Sequence, residues 1–280
     1  MLRIGRIEYA NCTPIFRVLQ GRGASLDYQF VEGVPARLNT MLFDGLIDVC
    51  PSSSIEYALH PERYLILPQL SIGSVGAVGS VLLFSKVPLE ELNNRTILLS
   101  SESATSVNLL KILLEKRFGC TCRYTVQSSA LENALSEAPA LLLIGDSALR
   151  ASIRNSDLQV YDLGQLWYEW TGLPFVFALW LCRRETASAH LADVVVLADQ
   201  LVEAKVVARD NLLTIAESSP EALWMGSDRL ASYWRENISY DLDDRHLEGL
   251  SLFYRYCVEC KLLAAEPELR FLADSLQKDR

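Results

Sequence analysis

The fold is decided by the stretch Asp162-Leu-Gly-Gln-Leu-Trp-Tyr-Glu-Trp-Thr-Gly-Leu-Pro-Phe-Val-Phe-Ala-Leu-Trp180. It leads into a long apolar run of β type, Phe175–Arg183, and a similar run, Val75–Lys86, occurs earlier in the chain. Both runs border the same middle segment, in which strand and helix signals alternate. A chain that leaves one lobe and later returns to it explains this pattern, so we predict an α/β fold of two lobes joined by a double crossover.

The two apolar runs also set the lobe boundaries that we predict. The middle segment is a self-contained α/β unit, and the chain after Phe175–Arg183 has helical patterns to its end. We assign residues 1–85 and 180–280 to lobe one, which includes a helical C-terminus, and residues 86–179 to lobe two. The cleft between the lobes is the expected ligand site. We expect the Trp- and Gly-bearing segment Trp167–Pro174 to form one wall of that cleft.

The composition is that of a folded α/β protein with an acidic surface. Half of the 280 residues are hydrophobic, 22% are charged and the formal net charge is −9. Such a surface does not attract nucleic acid or an anionic membrane, so we expect a small-molecule partner. The N-terminal segment is too short and too charged for a signal peptide, and no apolar run reaches the roughly 18 residues of a membrane span. We therefore expect a cytoplasmic protein.

The sequence offers no support for a metal, nucleotide or acyl-enzyme mechanism. Seven cysteines are scattered along it, and the Cys-x-x-Cys from Cys257 to Cys260 lies in a helical pattern with no second pair beside it. A redox pair or half of a zinc site is conceivable there, but we interpret the cysteines as ordinary free thiols. A Gly-rich phosphate loop and a Gly-x-Ser-x-Gly elbow are both missing. The three histidines are isolated from one another: His60, His190 and His246.

Polar residues follow two of the predicted strands of lobe one. Asn11 lies in Tyr9-Ala-Asn-Cys-Thr-Pro14, at the carboxyl end of the first strand, which faces the ligand crevice in open α/β sheets. Its amide offers a donor and an acceptor without charge, although a turn and helix cap would use the same residues. Ser53 and Ser54 follow a short buried strand, and one of them can present a hydroxyl to an anion while the other caps the helix.

Two further motifs place hydroxyl groups where a ligand can reach them. Gly79 and Ser80 interrupt an apolar run, and such a glycine marks either close approach of a ligand or a bulge at the crossover. Ser103, Thr105 and Ser106 precede a strongly apolar helix. Capping needs only one of these three hydroxyls, so we interpret the segment as a cradle for a carboxylate or phosphate at a helix start.

Taken in order along the chain, these segments resemble chorismate dehydratase, the first enzyme of the futalosine route to menaquinone. The C-terminal hundred residues match that family only in being helical. The resemblance implies the two-lobed fold of periplasmic solute-binding proteins (type II). It also implies that water is removed from chorismate without a cofactor, to give 3-(1-carboxyvinyloxy)benzoate. The matching segments are Arg6-Ile-x-Tyr-x-Asn-x-x-Pro14, Val34-Pro-x-x-Leu38, Gly45-x-x-Asp48, Gly76-x-Val-x-Ser80, Ser103-x-Thr-Ser-Val107, Ile144-Gly-Asp-x-Ala-Leu-Arg150 and Asp162–Trp180.

The resemblance places the family's catalytic pair on Asn11 and Ser80. Neither is a general base at neutral pH, so our hypothesis is that they hydrogen-bond the leaving hydroxyl or the developing charge, while the enolpyruvyl carboxylate of the substrate takes the proton. The substrate-binding residues that we expect lie in both lobes: Ser53, Ser103, Thr105, Ser106, Gly145 and Asp146.

Two departures from the family and two alternative functions accompany this resemblance. Gly79 stands where the family often has a larger residue, and Ala104 where it can have a basic one, so the pocket shape and the substrate can differ.

A solute-binding protein of the same fold is one alternative function. A sister enzyme, dihydroxynaphthoate synthase, is the other, but it carries a Cys-Pro-Asn-Asp type of turn after the first strand, unlike the segment Tyr9–Pro14 of this chain.

Overall fold

Two sheets of five strands each organise the part of the chain that the structure describes. The structure is a computed structural model, and it describes residues 1–21, 28–100, 104–127, 131–154 and 158–272. The strands are β1 Leu2–Ile7, β2 Tyr28–Gly33, β3 Val49–Ser53, β4 Tyr64–Ser74, β5 Val81–Ser85, β6 Thr96–Leu99, β7 Arg123–Val126, β8 Ala140–Ile144, β9 Gln159–Asp162 and β10 Phe175–Arg183.

The two sheets share one plan. The first has the order β2-β1-β3-β10-β4, in which β1 is parallel to β2 and β3, whereas β10 is antiparallel to β3 and β4. The second has the order β7-β6-β8-β5-β9, in which β6 is parallel to β7 and β8, whereas β5 is antiparallel to β8 and β9. Each sheet therefore has three parallel strands whose carboxyl ends share one edge, which is the edge that binds ligands in open α/β sheets.

Helices cover both sheets and make up most of the C-terminal segment, as the sequence predicts. A short 3₁₀ turn, Leu89–Leu92, and a π turn, Leu113–Arg117, accompany them. The helices are α1 Thr13–Gly21, α2 Pro35–Phe43, α3 Ser54–Leu59, α4 Ala104–Ile112, α5 Leu131–Glu137, α6 Gly145–Arg154, α7 Leu163–Thr171, α8 Arg184–Ala189, α9 Leu191–Asp210, α10 Leu212–Glu217, α11 Ala222–Met225, α12 Ser227–Glu236 and α13 Asp244–Glu259.

The chain crosses between the sheets in a short loop and not within a long strand. The run Val75–Lys86, which the sequence predicts as one strand, contains the loop 75–80 followed by β5. Gly76 and Gly79 have φ of +92° and +70°, a left-handed conformation that interrupts a strand. Because β5 pairs in the second sheet, the division between sheets falls before residue 81, whereas we placed the lobe boundary after residue 85.

The tryptophan-rich segment belongs to the core. Trp167 is fully buried, and its ring lies 5.2 Å from that of Phe175 and 6.1 Å from that of Tyr256, measured between centroids. Since α7 is amphipathic, the buried face that contains Trp167 packs against β10 and α13. The expectation that Trp167–Pro174 forms a cleft wall is therefore wrong for Trp167, whose indole packs between secondary structure elements.

Of the helices within the described ranges, none is both long enough and apolar enough to span a membrane.

Candidate active site

A narrow cavity of about 50 Å³ lies where the two sheets face each other. The carboxyl ends of β1 and β3 line it from the first sheet, and the end of β8 and the first turn of α4 line it from the second. Much of its wall is apolar and includes Ile72, Ile144 and Phe177. Five of the residues that the sequence predicts for the site line this cavity together: Asn11, Ser53, Ser80, Ser106 and Gly145.

Asn11 presents an amide to this cavity from a fixed backbone. The carbonyl oxygen of Asn11 accepts a hydrogen bond of 2.7 Å from the hydroxyl of Tyr240, and the carbonyl of Ala10 accepts one of 2.7 Å from the indole N–H of Trp234. Oδ1 of Asn11 is buried and has no hydrogen-bond partner among the described residues. Buried polar atoms in folded proteins are nearly always paired, so this oxygen is suited to a ligand donor.

Ser80 is held by two neighbours at the start of the second sheet. The phenol of Tyr233 donates to Oγ of Ser80 at 2.9 Å, and the backbone N–H of Gly145 donates to the Ser80 carbonyl at 2.8 Å. The distance from Oγ of Ser80 to the carbonyl oxygen of Val78 is 3.5 Å, which is too long for a strong bond. The Ser80 hydroxyl can therefore accept from Tyr233 and donate into the cavity.

A buried carboxylate anchors the loop that carries Ser80. Asp162 accepts hydrogen bonds from the backbone N–H groups of Val78 at 3.0 Å and Gly79 at 2.6 Å, and it also caps α7 by accepting from Gln165 at 3.1 Å. Burial raises the pKa of Asp162, while these backbone donors oppose the rise. Two of these donors lie in the crossover loop 75–80 and the third lies in α7, so Asp162 ties the loop that leads to Ser80 to that helix.

Gly145 contributes a close contact between the lobes. Its φ is +58°, and a Cβ atom at this position would lie 2.8 Å from the ring of Tyr9. The N–H of Gly145 donates to the Ser80 carbonyl, so Gly145 can make van der Waals contact with a ligand but has no N–H left to donate to it. A side chain here would combine backbone strain with a steric clash.

The structure places Ser53 and Ser54 in different surroundings, and the cap expected from a serine hydroxyl is not made by Ser53, the N-cap residue. The hydroxyl of Ser53 makes no cap bond to α3, and Ser53 lines the cavity. Oγ of Ser54 instead donates to the carbonyl of Val176 at 2.9 Å and lies 3.3 Å from Oγ1 of Thr105. Ser53 is therefore free of the capping role and faces the site, whereas Ser54 belongs to the packing behind it.

Two predicted site residues join the lobes and do not line the cavity. Thr105 is fully buried, and its Oγ1 accepts a hydrogen bond of 3.2 Å from the backbone N–H of Ile55. Oδ1 of Asp146 accepts one of 2.9 Å from the backbone N–H of Ala10. Both bonds connect a helix of the second lobe with the first lobe. Ser103 lies outside the described residues.

The two departures from the family pattern lie away from the inner cavity. A Cβ atom on Gly79 would lie 3.4 Å from the Tyr233 ring and 3.4 Å from the Asn237 side chain, so Gly79 faces α12. Ala104 lines a separate outer cavity of about 530 Å³ that includes Asn39 and Asn108. Neither departure changes the lining of the cavity that holds Asn11 and Ser80.

The cysteines and histidines take no part in this cavity. Cys257 and Cys260 are free thiols, and burial raises the pKa of Cys257 to about 12, which keeps it protonated. The side chain of His246 is buried between Asp243 and Ser239, at 2.7 Å and 3.0 Å. Over the ranges that the structure describes, no group of three or more His, Cys, Asp or Glu side chains is placed to hold a metal ion.

Two sheets of the same mixed plan, with a largely apolar cavity between their carboxyl edges into which a few polar side chains point, define a protein with the periplasmic-binding-protein fold. Solved structures agree: a protein from Archaeoglobus fulgidus aligns with a TM-score of 0.69 at 18% identity, covering 94% of this chain and 98% of its own. The periplasmic aliphatic sulphonate binding protein SsuA from Escherichia coli aligns with a TM-score of 0.67 at 16% identity, covering 95% and 89%. These likenesses concern the fold alone.

The chain belongs to the menaquinone biosynthesis family, whose model matches residues 2–259. It is 34% identical over 266 residues to the chorismate dehydratase of Thermus thermophilus, a match that covers 89% of this chain and 93% of that protein. It is also 30% identical over 192 residues to the chorismate dehydratase of Campylobacter jejuni, covering 65% and 68%. The family match extends through α12 and α13, so the C-terminal segment shares more than helical character with its relatives.

Proposed function

We propose that this protein is a lyase that removes water from chorismate to give 3-(1-carboxyvinyloxy)benzoate, in menaquinone biosynthesis by the futalosine route. One observation carries the proposal: Oδ1 of Asn11, buried with no partner among the described residues, and the hydroxyl of Ser80 line one narrow cavity. This pair occurs in a chain whose relatives over most of its length are named chorismate dehydratase.

The proposed reaction breaks two bonds of the chorismate ring. Loss of the ring C3 proton leaves an anion conjugated with the ring carboxylate, and departure of the C4 hydroxyl then completes an aromatic ring. The C3 proton and the C4 hydroxide, lost in these two steps, together make up the one molecule of water that is released. Since aromatisation supplies the driving force, positioning contributes more than a strong base, and we propose that no cofactor is needed.

Asn11 and Ser80 would act on the leaving hydroxyl. Oδ1 of Asn11 is a free acceptor for the C4 hydroxyl proton, and the Ser80 hydroxyl can donate to the C4 oxygen as negative charge develops on it. Neither side chain is a base of useful strength at neutral pH, so the enolpyruvyl carboxylate of the substrate itself would take the C3 proton. The apolar wall around the pair would exclude water and strengthen both hydrogen bonds.

The two carboxylates of chorismate need donors, because the net charge of the chain is −9. Ser53 and Ser106 line the cavity from opposite lobes, and Ser106 lies in the first turn of α4, where backbone N–H groups favour an anion. We propose that these two hydroxyls, with Ser103 before the same helix, bind the carboxylates. Gly145 would pack against the substrate, leaving room that a side chain would fill.

Access to the cavity would require the lobes to separate. Its volume of about 50 Å³ is well below the roughly 300 Å³ of a usual ligand pocket. Thr105 and Asp146 make hydrogen bonds between the lobes, so we propose that they stabilise the closed state and do not touch the substrate. The guanidinium of Arg150 lies 4.0 Å above the ring of Trp224 and adds a third contact of this kind.

Incubation of the purified protein with chorismate tests the proposal. We expect an aromatic product in the ultraviolet spectrum with the mass of chorismate less water. Asn11→Ala and Ser80→Ala should each lower kcat by about a hundredfold or more, as removal of a hydrogen bond made in the transition state does. Ser136→Ala, on the exposed side of α5, is the matched control and should keep wild-type turnover.

Three other outcomes would contradict parts of the proposal. If both Asn11→Ala and Ser80→Ala kept wild-type turnover, the catalytic assignment would be lost. Chorismate binding with a change in tryptophan fluorescence but no product would indicate a solute-binding protein of the same fold. Chorismate that is neither bound nor altered would point to the sister enzyme, dihydroxynaphthoate synthase, which acts on a different substrate.

A further inference from the structure

A tyrosine from the C-terminal segment lies directly behind Ser80. Tyr233 is on α12, 153 residues away from Ser80 in the sequence, and its hydroxyl is 2.9 Å from Oγ of Ser80. The Tyr233 side chain is buried and does not line the cavity that Asn11 and Ser80 share. Tyr233 can therefore reach the substrate only through Ser80.

The direction of this hydrogen bond follows from the chemistry of the two hydroxyls. A phenol is far more acidic than the hydroxyl of a serine, so Tyr233 is the better donor and Ser80 the better acceptor. Burial raises the pKa of the Tyr233 phenol above its ordinary value, and the carboxylates of Asp146 and Asp162 add to the rise. A phenol whose pKa lies above its ordinary value of about 10 keeps its proton at neutral pH, so Tyr233 is a donor there.

A serine that accepts from a tyrosine has its own proton left to donate. The carbonyl of Val78, at 3.5 Å from Oγ of Ser80, binds that proton weakly at most, and the cavity is the remaining direction. Hydrogen bonds in a chain polarise one another, so the bond from Tyr233 makes the Ser80 hydroxyl a stronger donor. The Ser80 hydroxyl can therefore donate a strengthened hydrogen bond to an oxygen in the cavity on which negative charge develops.

The same helix holds the loop on which Ser80 depends. Asn237 directly follows α12, and its Nδ2 donates to the carbonyl of Ala77 at 3.0 Å. Gly79, with φ of +70°, lies against the Tyr233 ring and the Asn237 side chain. A Cβ atom on Gly79 would lie in ordinary van der Waals contact with the Tyr233 ring, at 3.4 Å. The requirement for glycine therefore comes from its positive φ, which side-chain-bearing residues rarely adopt and which sets the turn that leads to Ser80.

We propose that Tyr233 is the positioning residue of the site: it orients the Ser80 hydroxyl so that its proton points at the leaving oxygen of the substrate. This inference rests on the proposed function, because it assigns a role within that reaction. It predicts a loss in the chemical step and not in substrate binding, since Tyr233 lies outside the cavity.

Kinetics of Tyr233→Phe test the inference, because this change removes one oxygen atom and keeps the ring. We expect kcat to fall by about tenfold or more while KM stays within about twofold, as for loss of an interaction made in the transition state. In a Ser80→Ala background the same change should have no further effect on kcat. Tyr57→Phe is the matched control: this buried phenol donates to the carbonyl of Glu268 at 2.7 Å, away from the site, and kcat should not change.

The outcomes separate this inference from the proposed function. A wild-type enzyme that dehydrates chorismate, combined with an unchanged kcat for Tyr233→Phe, would overturn the positioning role and leave the function intact. An equal loss of kcat in the wild-type and Ser80→Ala backgrounds would also overturn it, because Tyr233 would then act independently of Ser80. A wild-type protein that leaves chorismate unchanged would overturn both. Circular dichroism of each variant confirms that it is folded.

Discussion

The backbone N–H of Ala10 donates a hydrogen bond of 2.9 Å to Oδ1 of Asp146, although 136 residues separate the two in the sequence. Ala10 directly precedes Asn11, and Asp146 is the second residue of α6 in the second lobe. The bond therefore couples the position of the Asn11 loop to closure of the lobes. A carboxylate that accepts from a backbone N–H is a charge-assisted hydrogen bond, which is stronger than a neutral one.

Removal of this carboxylate should weaken substrate binding. We expect Asp146→Ala to raise KM for chorismate by about tenfold, since a bond to a charged group is worth about 1.5–3 kcal/mol and here contributes to the closed state. Steady-state kinetics give KM and kcat separately. Asp199→Ala, on the exposed face of α9, should leave both unchanged. A KM equal to that of the wild-type protein would show that Asp146 does not stabilise closure.

A side chain at position 145 should prevent the lobes from closing. Gly145→Ala would place a methyl group 2.8 Å from the Tyr9 ring at a residue with φ of +58°, so we expect a loss of more than tenfold in kcat/KM. Gly172→Ala separates the two causes, because Gly172 has φ of +71° and nothing within 4 Å of a Cβ. We expect this control to be destabilised by about 1 kcal/mol and to remain fully active. Equal activity losses in both variants would exclude the contact with Tyr9 as the cause.

The serine hydroxyls that line the cavity should affect binding more than turnover. We expect Ser53→Ala and Ser106→Ala each to raise KM by roughly tenfold, as loss of a hydrogen bond to a charged group does, with kcat within about threefold. Isothermal titration with the product, which keeps both carboxylates, checks the same effect without turnover. A large fall in kcat with KM unchanged would place these hydroxyls in the chemical step instead.

An ion pair at the edge of β3 should make stability depend on pH. Arg3 donates to both oxygens of Asp48, at 2.9 Å and 2.8 Å, and Thr186 donates at 3.1 Å. Burial alone would raise the pKa of Asp48, but these donors hold it below its usual value. The stabilisation is therefore complete above the unfolded pKa of about 3.9 and is lost as the pH falls through the lower folded pKa.

We expect Asp48→Asn to lower the free energy of unfolding by about 1–3 kcal/mol at pH 7, and by progressively less as the pH falls below about 4. Chemical denaturation of wild type and variant across this range measures the difference. Glu32→Gln is the control, because its partner Arg6 lies at 2.8 Å in an exposed pair, and such pairs contribute at most about 1 kcal/mol. A difference that does not change with pH would exclude ionisation of Asp48 as its origin.

Much of the fold could be predicted from local sequence patterns. Alternating strand and helix signals, together with a second long apolar run, were enough to predict two lobes and a helical C-terminus, because hydrophobic periodicity reflects which face of each element is buried. The start of β5 was placed too early, because the loop 75–80 was included in one predicted strand, Val75–Lys86. The apolar residues continue across the crossover, and two positive-φ glycines turn the chain between Ser74 and Val81. Apolar content alone cannot distinguish a continuous strand from two strands in different sheets.

The sequence predicted which segments meet at the site more reliably than which side chains face it. Asn11 follows β1 and Ser53 is the last residue of β3, and the carboxyl ends of these strands share one sheet edge, so topology brings them together. Thr105 and Ser106 are neighbours in one helix, where successive side chains differ in direction by about 100°, so only one of them lines the cavity. The pattern of hydroxyl residues could not show which of the two it is.

By itself, the sequence determined that Asn11 follows the first strand and that glycines interrupt the apolar run before Ser80, because these are local properties of the chain. Only the tertiary structure decided which distant side chains hydrogen-bond to these two residues. Tyr233 and Tyr240 lie 153 and 229 residues from the site residues that they contact. In the sequence they are ordinary apolar positions of the C-terminal segment. Hydrophobic periodicity shows which face of a helix is buried, but it does not show which element that face packs against. Packing of that segment against the first lobe makes Tyr233 a donor to Ser80 and Tyr240 a support for Asn11.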